Sequence, residues 1–436
     1  MERNKLLRDL RSSAIIAAWF SVLLFPLLVM KVSVTGGQAL VRFRWERLPA
    51  IAVVAFVLSF AWRRALEWNE ARGDKPSGSG PIAALTVKAR SALALRPIRL
   101  TATLVLLAVA AAYPFALGMY HTNIMITALI YVILALGLNL VVGLGGLLNL
   151  GYAAFFAVGA YTYGLLWKYA GPAFVSAGLD PGWLFWIALP TAGVLAAIFG
   201  ALLSLPVLRL RGDYLAIITL AFGEIVRMVL QNSGAVTGGA TGISLIPRPW
   251  FFGLRLPPRQ AATYIYYIAV ALVALTVFVV RRIEDSRVGR ALEAMREGEI
   301  ACEAMGVDLV RNKLVTFSLG AFWAGIAGVL LAAQTTYINP DSFTLWESIT
   351  VLMAVVIGGT GSIPGAIGGA LLLKLLPEYF RPLAQYRMLI YGIAMILVII
   401  FKPDGLLPRN RKKYTFDGSP SAVGAPAAAG DQEARR

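Results

Sequence analysis

The chain has 436 residues, of which 58% are hydrophobic and only 14% are charged, and its formal net charge at pH 7 is +17. Such an apolar content, arranged in repeated long runs, excludes an ordinary soluble protein and predicts an integral membrane protein. In a membrane protein, excess Lys and Arg mark cytoplasmic loops, so we expect a lipid partner and no nucleic-acid partner. One cysteine, Cys302, and one histidine, His121, are too few for a disulfide, a metal site or acid–base catalysis. We therefore expect no catalytic residue, no metal and no cofactor bound by this chain.

Residues 1–62 predict a two-span extension. A basic start at residues 1–11 precedes an apolar run at 12–30, which is long for a signal peptide and lacks a small-residue cleavage site, so we expect a retained span. A second apolar run follows at 48–62. The outside loop between the two runs carries four basic residues, which is discordant with the positive-inside rule. Residues 63–99 form a basic polar linker.

The main body, residues 100–408, predicts a transmembrane domain, and residues 409–436 predict a disordered basic tail. The apolar runs of the body lie at residues 100–117, 122–142, 151–167, 183–208, 214–230, 262–280, 314–333, 349–357, 365–376 and 388–401. With a cytoplasmic N-terminus and every run crossing, the chain crosses twelve times and both termini are cytoplasmic. Several runs are short or rich in glycine. The predicted fold class is an all-α integral membrane protein, a polytopic helical bundle with an internal repeat and broken or re-entrant helices.

Two segments, residues 141–155 and 355–369, share one pattern: a pair of valines, a glycine-rich break and a helix of small residues. Matching interrupted segments in two halves of a transporter point to the pathway between internal repeats. The polar residues near these breaks are the predicted lining of that pathway: Asn139, Asn149, Tyr152, Thr360 and Ser362. The alternative is close helix packing, because small residues also recur every fourth position in 361–369 and in 320–328.

The apolar run at 214–230 contains two charged residues, Glu224 and Arg227. Each charge costs roughly 2.5–3.5 kcal/mol at the centre of a membrane, so each must be paired or face protein. Their spacing of three residues places both on one helix face. We expect an internal ion pair between them, the alternative being a counter-ion for a substrate.

The charged segment at 281–313 lies between two apolar runs and contains seven Lys and Arg residues, which predicts a cytoplasmic loop. Wound as a helix, it places Leu292, Met295, Cys302 and Met305 on one apolar stripe. Such an amphipathic helix between spans favours docking to a cytoplasmic partner. The alternative is a solvated loop whose helix lies on the membrane surface.

Five ordered motifs carry a family resemblance. They lie at residues 137–161 (GLNLVVGLGGLLNLGYAAFFAVGAY), 210–227 (LRGDYLAIITLAFGEIVR), 237–244 (TGGATGIS), 289–307 (GRALEAMREGEIACEAMGV) and 401–408 (FKPDGLLP). With them the chain resembles the M-type permease subunits of bacterial high-affinity branched-chain amino acid (Liv) importers, which are of the ABC class. The resemblance covers about residues 100–408.

The resemblance implies a function and a set of partners. The chain would be the membrane permease of an ATP-driven importer for branched-chain or related neutral amino acids, in the bacterial inner membrane. Its partners would be a homologous H-type permease, two cytoplasmic ATPase subunits that bind ATP and Mg²⁺, and a periplasmic amino-acid-binding protein. The 281–313 loop would dock on an ATPase. The residues that fall where ABC importers carry their EAA-type coupling motif are Glu297, Ala301, Glu303, Ala304, Met305 and Gly306.

Two other classes of function are alternatives. An ion-coupled secondary transporter would also have inverted repeats and broken helices, with Glu224 as its candidate membrane acid. A membrane enzyme would need a cluster of His, Cys or carboxylate side chains, which the sequence does not offer. The chain also has no GxxxxGK[ST] phosphate loop, so ATP hydrolysis is expected on separate subunits.

Overall fold

A computed structural model describes residues 30–35, 38–43, 113–115, 118–178, 182–207, 210, 212–249, 257–379, 392, 396 and 405–407. The chain divides into two compact units, Met1–Val105 and Leu106–Arg436. The predicted spans at 12–30 and 48–62, the linker at 63–99 and the tail at 409–436 lie outside the described residues, except for Met30.

The described part of the first unit is an antiparallel hairpin. Strand β1 (Met30–Thr35) pairs with strand β2 (Gln38–Phe43), with Met30 opposite Phe43 and Thr35 opposite Gln38. This hairpin lies almost wholly in the segment that the sequence predicts only as a loop between two spans. Val32, Val34 and Val41 supply the β-branched side chains that favour strands.

The described part of the second unit is helical. Its first helices are α1 (Met119–Leu138), continued by a π-helix at Asn139–Leu144, then α2 (Tyr152–Ser176), α3 (Trp183–Val207), α4 (Asp213–Asn232) and α5 (Gly234–Thr237), the last followed by a 3₁₀ turn at Gly239–Thr241. The later helices are α6 (Pro258–Glu284), α7 (Arg287–Glu297), α8 (Glu299–Ala304), α9 (Leu309–Thr335), a 3₁₀ turn at Pro340–Ser342, α10 (Leu345–Gly358) and α11 (Ile363–Tyr379).

Five helices in the described ranges are long and apolar enough to cross a membrane: Met119–Leu144, Trp183–Pro206, Arg259–Glu284, Leu309–Thr335 and Pro340–Gly358. They confirm the predicted all-α, multi-pass class for this unit. The total of twelve crossings stays a prediction, because several predicted runs lie outside the described residues.

Helix α9 is the centre of the bundle and packs against α1, α2 and α3. Small residues bring the backbones close: a Cβ added to Gly325 of α9 would lie 2.5 Å from the carbonyl oxygen of Ala192 on α3. One added to Gly200 of α3 would lie 2.8 Å from the carbonyl oxygen of Phe317 on α9. The packing interpretation of the small residues at 320–328 is therefore the one that the structure supports.

Two helices are interrupted where the sequence predicts breaks. α1 changes to π-helix at Asn139 and the chain then turns at Gly146, whose φ is +68°. α10 ends at Gly358, and after a turn at Gly359 (φ +124°) α11 runs back along it. Both turns use backbone angles that a side chain disfavours, which explains the glycine in each break.

Candidate functional site

The charged segment between α6 and α9, which the pattern predicts to be helical, folds into two short helices, α7 and α8. The hydroxyl oxygen of Ser286 accepts a hydrogen bond from the backbone N–H of Gly289 (3.2 Å) and caps α7. Asp308 caps the next helix, α9, by accepting from the N–H of Arg311 (3.0 Å). Between them Gly306, with φ +80°, provides the turn after α8. The segment is therefore a defined structure rather than an irregular loop.

The apolar stripe of this segment is buried at three of its four predicted positions. Leu292, Met295 and Cys302 are 0%, 2% and 3% exposed and belong to the hydrophobic core. The prediction that Met305 shares the stripe of these three residues is wrong, since its side chain is 83% exposed. Met305 is the residue that follows the last turn of α8, just before the left-handed Gly306, so it no longer follows the helical periodicity.

The six residues assigned to coupling by resemblance share one property, exposure to solvent. They are Glu297, Ala301, Glu303, Ala304, Met305 and Gly306. Ile300 lies among them and is 74% exposed, so α8 presents apolar side chains beside two carboxylates. Ile300 and Met305, which is 83% exposed, add exposed apolar surface to this charged segment. The docking role of these six residues stays a prediction.

An ion pair joins α8 to the first turns of α9. Lys313 Nζ lies 2.9 Å from Glu299 Oε1, and the two side chains are 3% and 21% exposed. A lysine ammonium with so little exposure requires an anionic partner, because desolvation of the charge costs several kcal/mol. The pair therefore attaches the exposed helix firmly to the central span. Sequence reasoning missed this pair, because the charge pattern alone does not reveal which basic side chain of the segment is buried.

Arg296 of α7 reaches both glycine-rich breaks. Its Nη1 donates a hydrogen bond to the carbonyl oxygen of Gly143 in the π-helix. A Cβ added to Gly146 would lie 2.9 Å from Arg296 Cγ, and one added to Gly361 would lie 3.3 Å from Arg296 Nη1. The Arg296 side chain therefore occupies space that is free only because positions 146 and 361 are glycines without a Cβ atom. Sequence reasoning missed this contact, because it joins residues that lie 153 positions apart.

The two breaks also touch each other. Asn139 Oδ1 accepts a hydrogen bond from the backbone N–H of Gly361 (2.8 Å), across 222 residues of chain. A Cβ added to Gly143 would lie 2.8 Å from the Cα of Gly361. The two segments singled out by their shared pattern therefore meet at one point, and Arg296 lies against it.

Four of the five predicted pathway residues, Asn139, Asn149, Tyr152 and Ser362, make hydrogen bonds with the backbone. Asn149 Oδ1 accepts from the N–H of Gly151 (3.0 Å), and the hydroxyl of Tyr152 donates to the carbonyl oxygen of Gly320 (3.0 Å). Ser362 accepts from the N–H of Gly365 (3.2 Å). Asn139, Asn149, Tyr152 and Ser362 are buried and Thr360 is half-buried. These contacts hold the breaks in shape, and a role in lining the pathway stays a prediction.

Glu224 and Arg227 lie side by side on α4, with Arg227 Nε 2.9 Å from Glu224 Oε2. Arg227 Nη1 is also 3.4 Å from Asp341 Oδ1, in the loop after α9. Asp341 is a partner that the sequence did not indicate, because it lies 114 residues away. All three charges are thereby engaged within the chain. Within the described residues, no group of three or more His, Cys, Asp or Glu could hold a metal ion.

Comparison with known proteins identifies the family. Residues 120–399 match the family described as the permease component of branched-chain amino acid transport systems. The chain belongs to this family. The permease is thus a multi-pass membrane protein of the class that its motifs indicate.

Named relatives agree with the family match. The permease is 45% identical over 326 residues to the high-affinity branched-chain amino acid transport system permease protein LivM of Escherichia coli K12, covering 70% of this chain and 74% of the relative. It is 28% identical over 321 residues to a probable LivM of Methanocaldococcus jannaschii (64% and 91% covered) and 29% identical over 294 residues to LivH of E. coli K12 (64% and 91%). No solved structure matches the chain.

Proposed function

We propose that this chain is one of two permease subunits of an ATP-driven importer that carries leucine, isoleucine, valine or related neutral amino acids across the bacterial inner membrane. The names of the relatives support the substrate class. A single organism, E. coli K12, has both a LivM and a LivH permease that resemble this chain, which supports pairing with a second, homologous permease. Two ATPase subunits, which bind ATP and Mg²⁺, and a periplasmic binding protein complete the proposed assembly.

The observation that carries the proposal is the double role of the α7–α8 segment. Its outer side is exposed at Ile300 and Glu303, where a cytoplasmic ATPase would dock. Its inner side holds the central span through Lys313–Glu299 and the glycine-rich breaks through Arg296. The segment is rich in Arg and Lys, which supports a cytoplasmic position for it, and the basic residues near the two termini support the same position for them.

A mechanism follows from these contacts. Closure of the ATPases on ATP would displace α8, the ion pair would carry the movement to α9, and Arg296 would carry it to the breaks. The two permeases would then shift between outward-open and inward-open packings, which is a conformational transition and not a chemical step. Initial selection of the amino acid would lie in the binding protein.

The test is leucine uptake by vesicles that contain the complete assembly. We expect uptake to follow ATP and to persist when ion gradients are collapsed. Glu303→Lys, or a proline within residues 299–304, is expected to abolish uptake while the protein stays in the membrane. Asp285→Lys is the matched control, since Asp285 is an exposed acid of the same segment outside α8.

An ion-coupled secondary transporter is the competing function. It predicts that uptake by this chain alone follows an ion gradient and that a neutral substitution at Glu224 abolishes it. Glu224 is paired with Arg227, which favours a structural role for this carboxylate. Uptake without any ATPase, or normal uptake by both coupling variants, would contradict the importer proposal.

A further inference from the structure

A polar cavity lies at the other end of the bundle from the α7–α8 segment. It has a volume of about 370 Å³ and opens between α1, α9, α10 and α11. Gln334, at the end of α9, is part of its wall, whereas Lys313 lies near the start of that 27-residue helix. At 1.5 Å per residue the helix is about 40 Å long, so the cavity and the segment lie at opposite ends. Pockets for small molecules begin at about 300 Å³.

Charges of both signs line this cavity, although its walls belong to apolar helices. Lys374 and Glu378 come from α11, and Glu347 comes from α10. The hydroxyl of Tyr131 donates to Glu347 Oε2, while Lys374 Nζ lies 3.5 Å from the centre of the Tyr131 ring. Tyr131 thus holds a cation and an anion close together at the wall. Ionisable side chains among apolar spans are costly and typically mark a substrate route.

The remaining wall offers neutral polar groups and an apolar surface. Gln334 Nε2 donates to the carbonyl oxygen of Asn123 (2.9 Å) and to Thr127 Oγ1 (2.9 Å), while its Oε1 is buried without a hydrogen-bond partner in the described structure. A buried acceptor without a partner destabilises the protein, and a hydrogen-bond donor on a ligand would satisfy it. Ile124 and Trp346 supply apolar surface beside these groups.

We infer that this cavity binds a free amino acid as its zwitterion, with Lys374 facing the carboxylate and Glu347 facing the ammonium group. The apolar wall at Ile124 and Trp346 accommodates the branched side chain. The inference deepens the proposed function and rests on it, because the cytoplasmic position of α7–α8 places the cavity on the periplasmic side. The permease then holds the solute itself after the binding protein releases it. Such a site selects for the two charges that every α-amino acid carries and only loosely for its side chain.

The test uses the fact that the chain has one cysteine. Ile124→Cys is introduced together with Cys302→Ser, and the complete importer is assembled in vesicles without the binding protein. The rate of labelling by a membrane-impermeant, cationic methanethiosulfonate is then measured. We expect leucine to slow labelling at least tenfold. We expect 3-methylbutylamine, which lacks the carboxylate, and 4-methylpentanoic acid, which lacks the ammonium group, to have little effect.

Two controls make the result specific. Thr241→Cys in the same background lies in an exposed loop outside the cavity and is expected to label at a rate that leucine does not change. Lys374→Met is expected to raise the leucine concentration for half-protection at least tenfold, and Lys374→Arg to restore most of the protection. Lys168 lies outside the cavity and donates a hydrogen bond to the carbonyl oxygen of Val236. Lys168→Met is expected to leave the leucine concentration for half-protection unchanged.

The failure of this inference can be told apart from failure of the proposed function. If the assembly takes up leucine with ATP but leucine never protects position 124, the inference is wrong and the importer stands. Equal protection by leucine and by both one-charge analogues would also overturn it, because the site would then recognise only the alkyl group. Absence of ATP-driven uptake would instead overturn the proposed function.

Discussion

Arg296 donates a hydrogen bond to the carbonyl oxygen of Gly143, a residue 153 positions earlier in the chain. This contact joins the exposed α7–α8 segment to the interrupted end of α1 without any intermediate side chain. Gly146 and Gly361 leave room for the Arg296 side chain. The contact therefore depends both on the arginine of α7 and on glycines that lie far from it in the sequence.

Arg296→Ala is expected to lower ATP-driven leucine uptake at least tenfold while ATP hydrolysis by the assembly continues. The substitution removes the connection to the breaks but leaves the outer side of α7–α8 intact. Arg296→Lys is expected to be intermediate, because an ammonium group lacks the fork geometry of a guanidinium. Uptake and hydrolysis measured on the same vesicles would check this. Arg287→Ala, at an exposed position of the same helix, serves as control, and an equal loss there would refute the specific role of Arg296.

Gly143→Ala is expected to destabilise the protein by about 1–3 kcal/mol, the usual cost of overpacking. Its Cβ would lie 2.8 Å from the Cα of Gly361 and would push the two breaks apart. The Asn139–Gly361 hydrogen bond would lengthen or break. Thermal unfolding of the purified protein measures the change. Gly118→Ala has nothing within 4 Å of the added Cβ and is expected to unfold like the wild type.

Glu299→Gln is expected to destabilise the protein more than Lys313→Met does. The first change leaves the ammonium of Lys313, only 3% exposed, without its carboxylate, whereas the second leaves a carboxylate that is 21% exposed and better hydrated. Breaking a buried pair at one partner costs about 3–5 kcal/mol. The double variant is expected to be more stable than the sum of the single effects predicts, which denaturation of all four proteins would reveal. Additive effects would mean that the two groups do not interact.

Ile300→Asp is expected to reduce co-purification of the ATPase subunits with the permease at least fivefold. Ile300 is 74% exposed, so the change costs the folded permease little and acts on the surface proposed to dock the ATPase. Ile300→Met keeps an apolar side chain of similar size and is expected to retain the ATPases. If Ile300→Asp co-purified normally and supported full uptake, α8 would not be the docking element.

The sequence predicted the helices well where their apolar runs are long. The run at 214–230 corresponds to the helix Asp213–Asn232 and the run at 314–333 to the helix Leu309–Thr335, each helix being a few residues longer than its run. The two glycine-rich breaks were located because glycine and small residues leave a signature in the sequence itself. Hydrophobic periodicity also placed Leu292, Met295 and Cys302 on one apolar stripe, and the structure buries all three in the core of the chain itself.

What the sequence could not provide are contacts between distant residues and departures from helical periodicity. Met305 was misplaced because the left-handed turn at Gly306 ends the helix first. The contacts of Arg296 with Gly143, of Lys313 with Glu299 and of Arg227 with Asp341 depend on which segments are neighbours, and one sequence holds no information on that pairing. The cavity between α1 and α11 was missed for the same reason, since its walls come from four separate helices.

The position of Cys302 has a practical consequence. Its thiol is buried on the inner face of α8, directly beneath the surface proposed to receive the ATPase. A thiol reagent can reach it only while α8 is displaced from the core. The rate at which the wild-type protein reacts with the reagent therefore reports how often α8 is displaced. Measuring that rate with and without nucleotide would follow the movement of α8 during transport by means of the native Cys302 thiol.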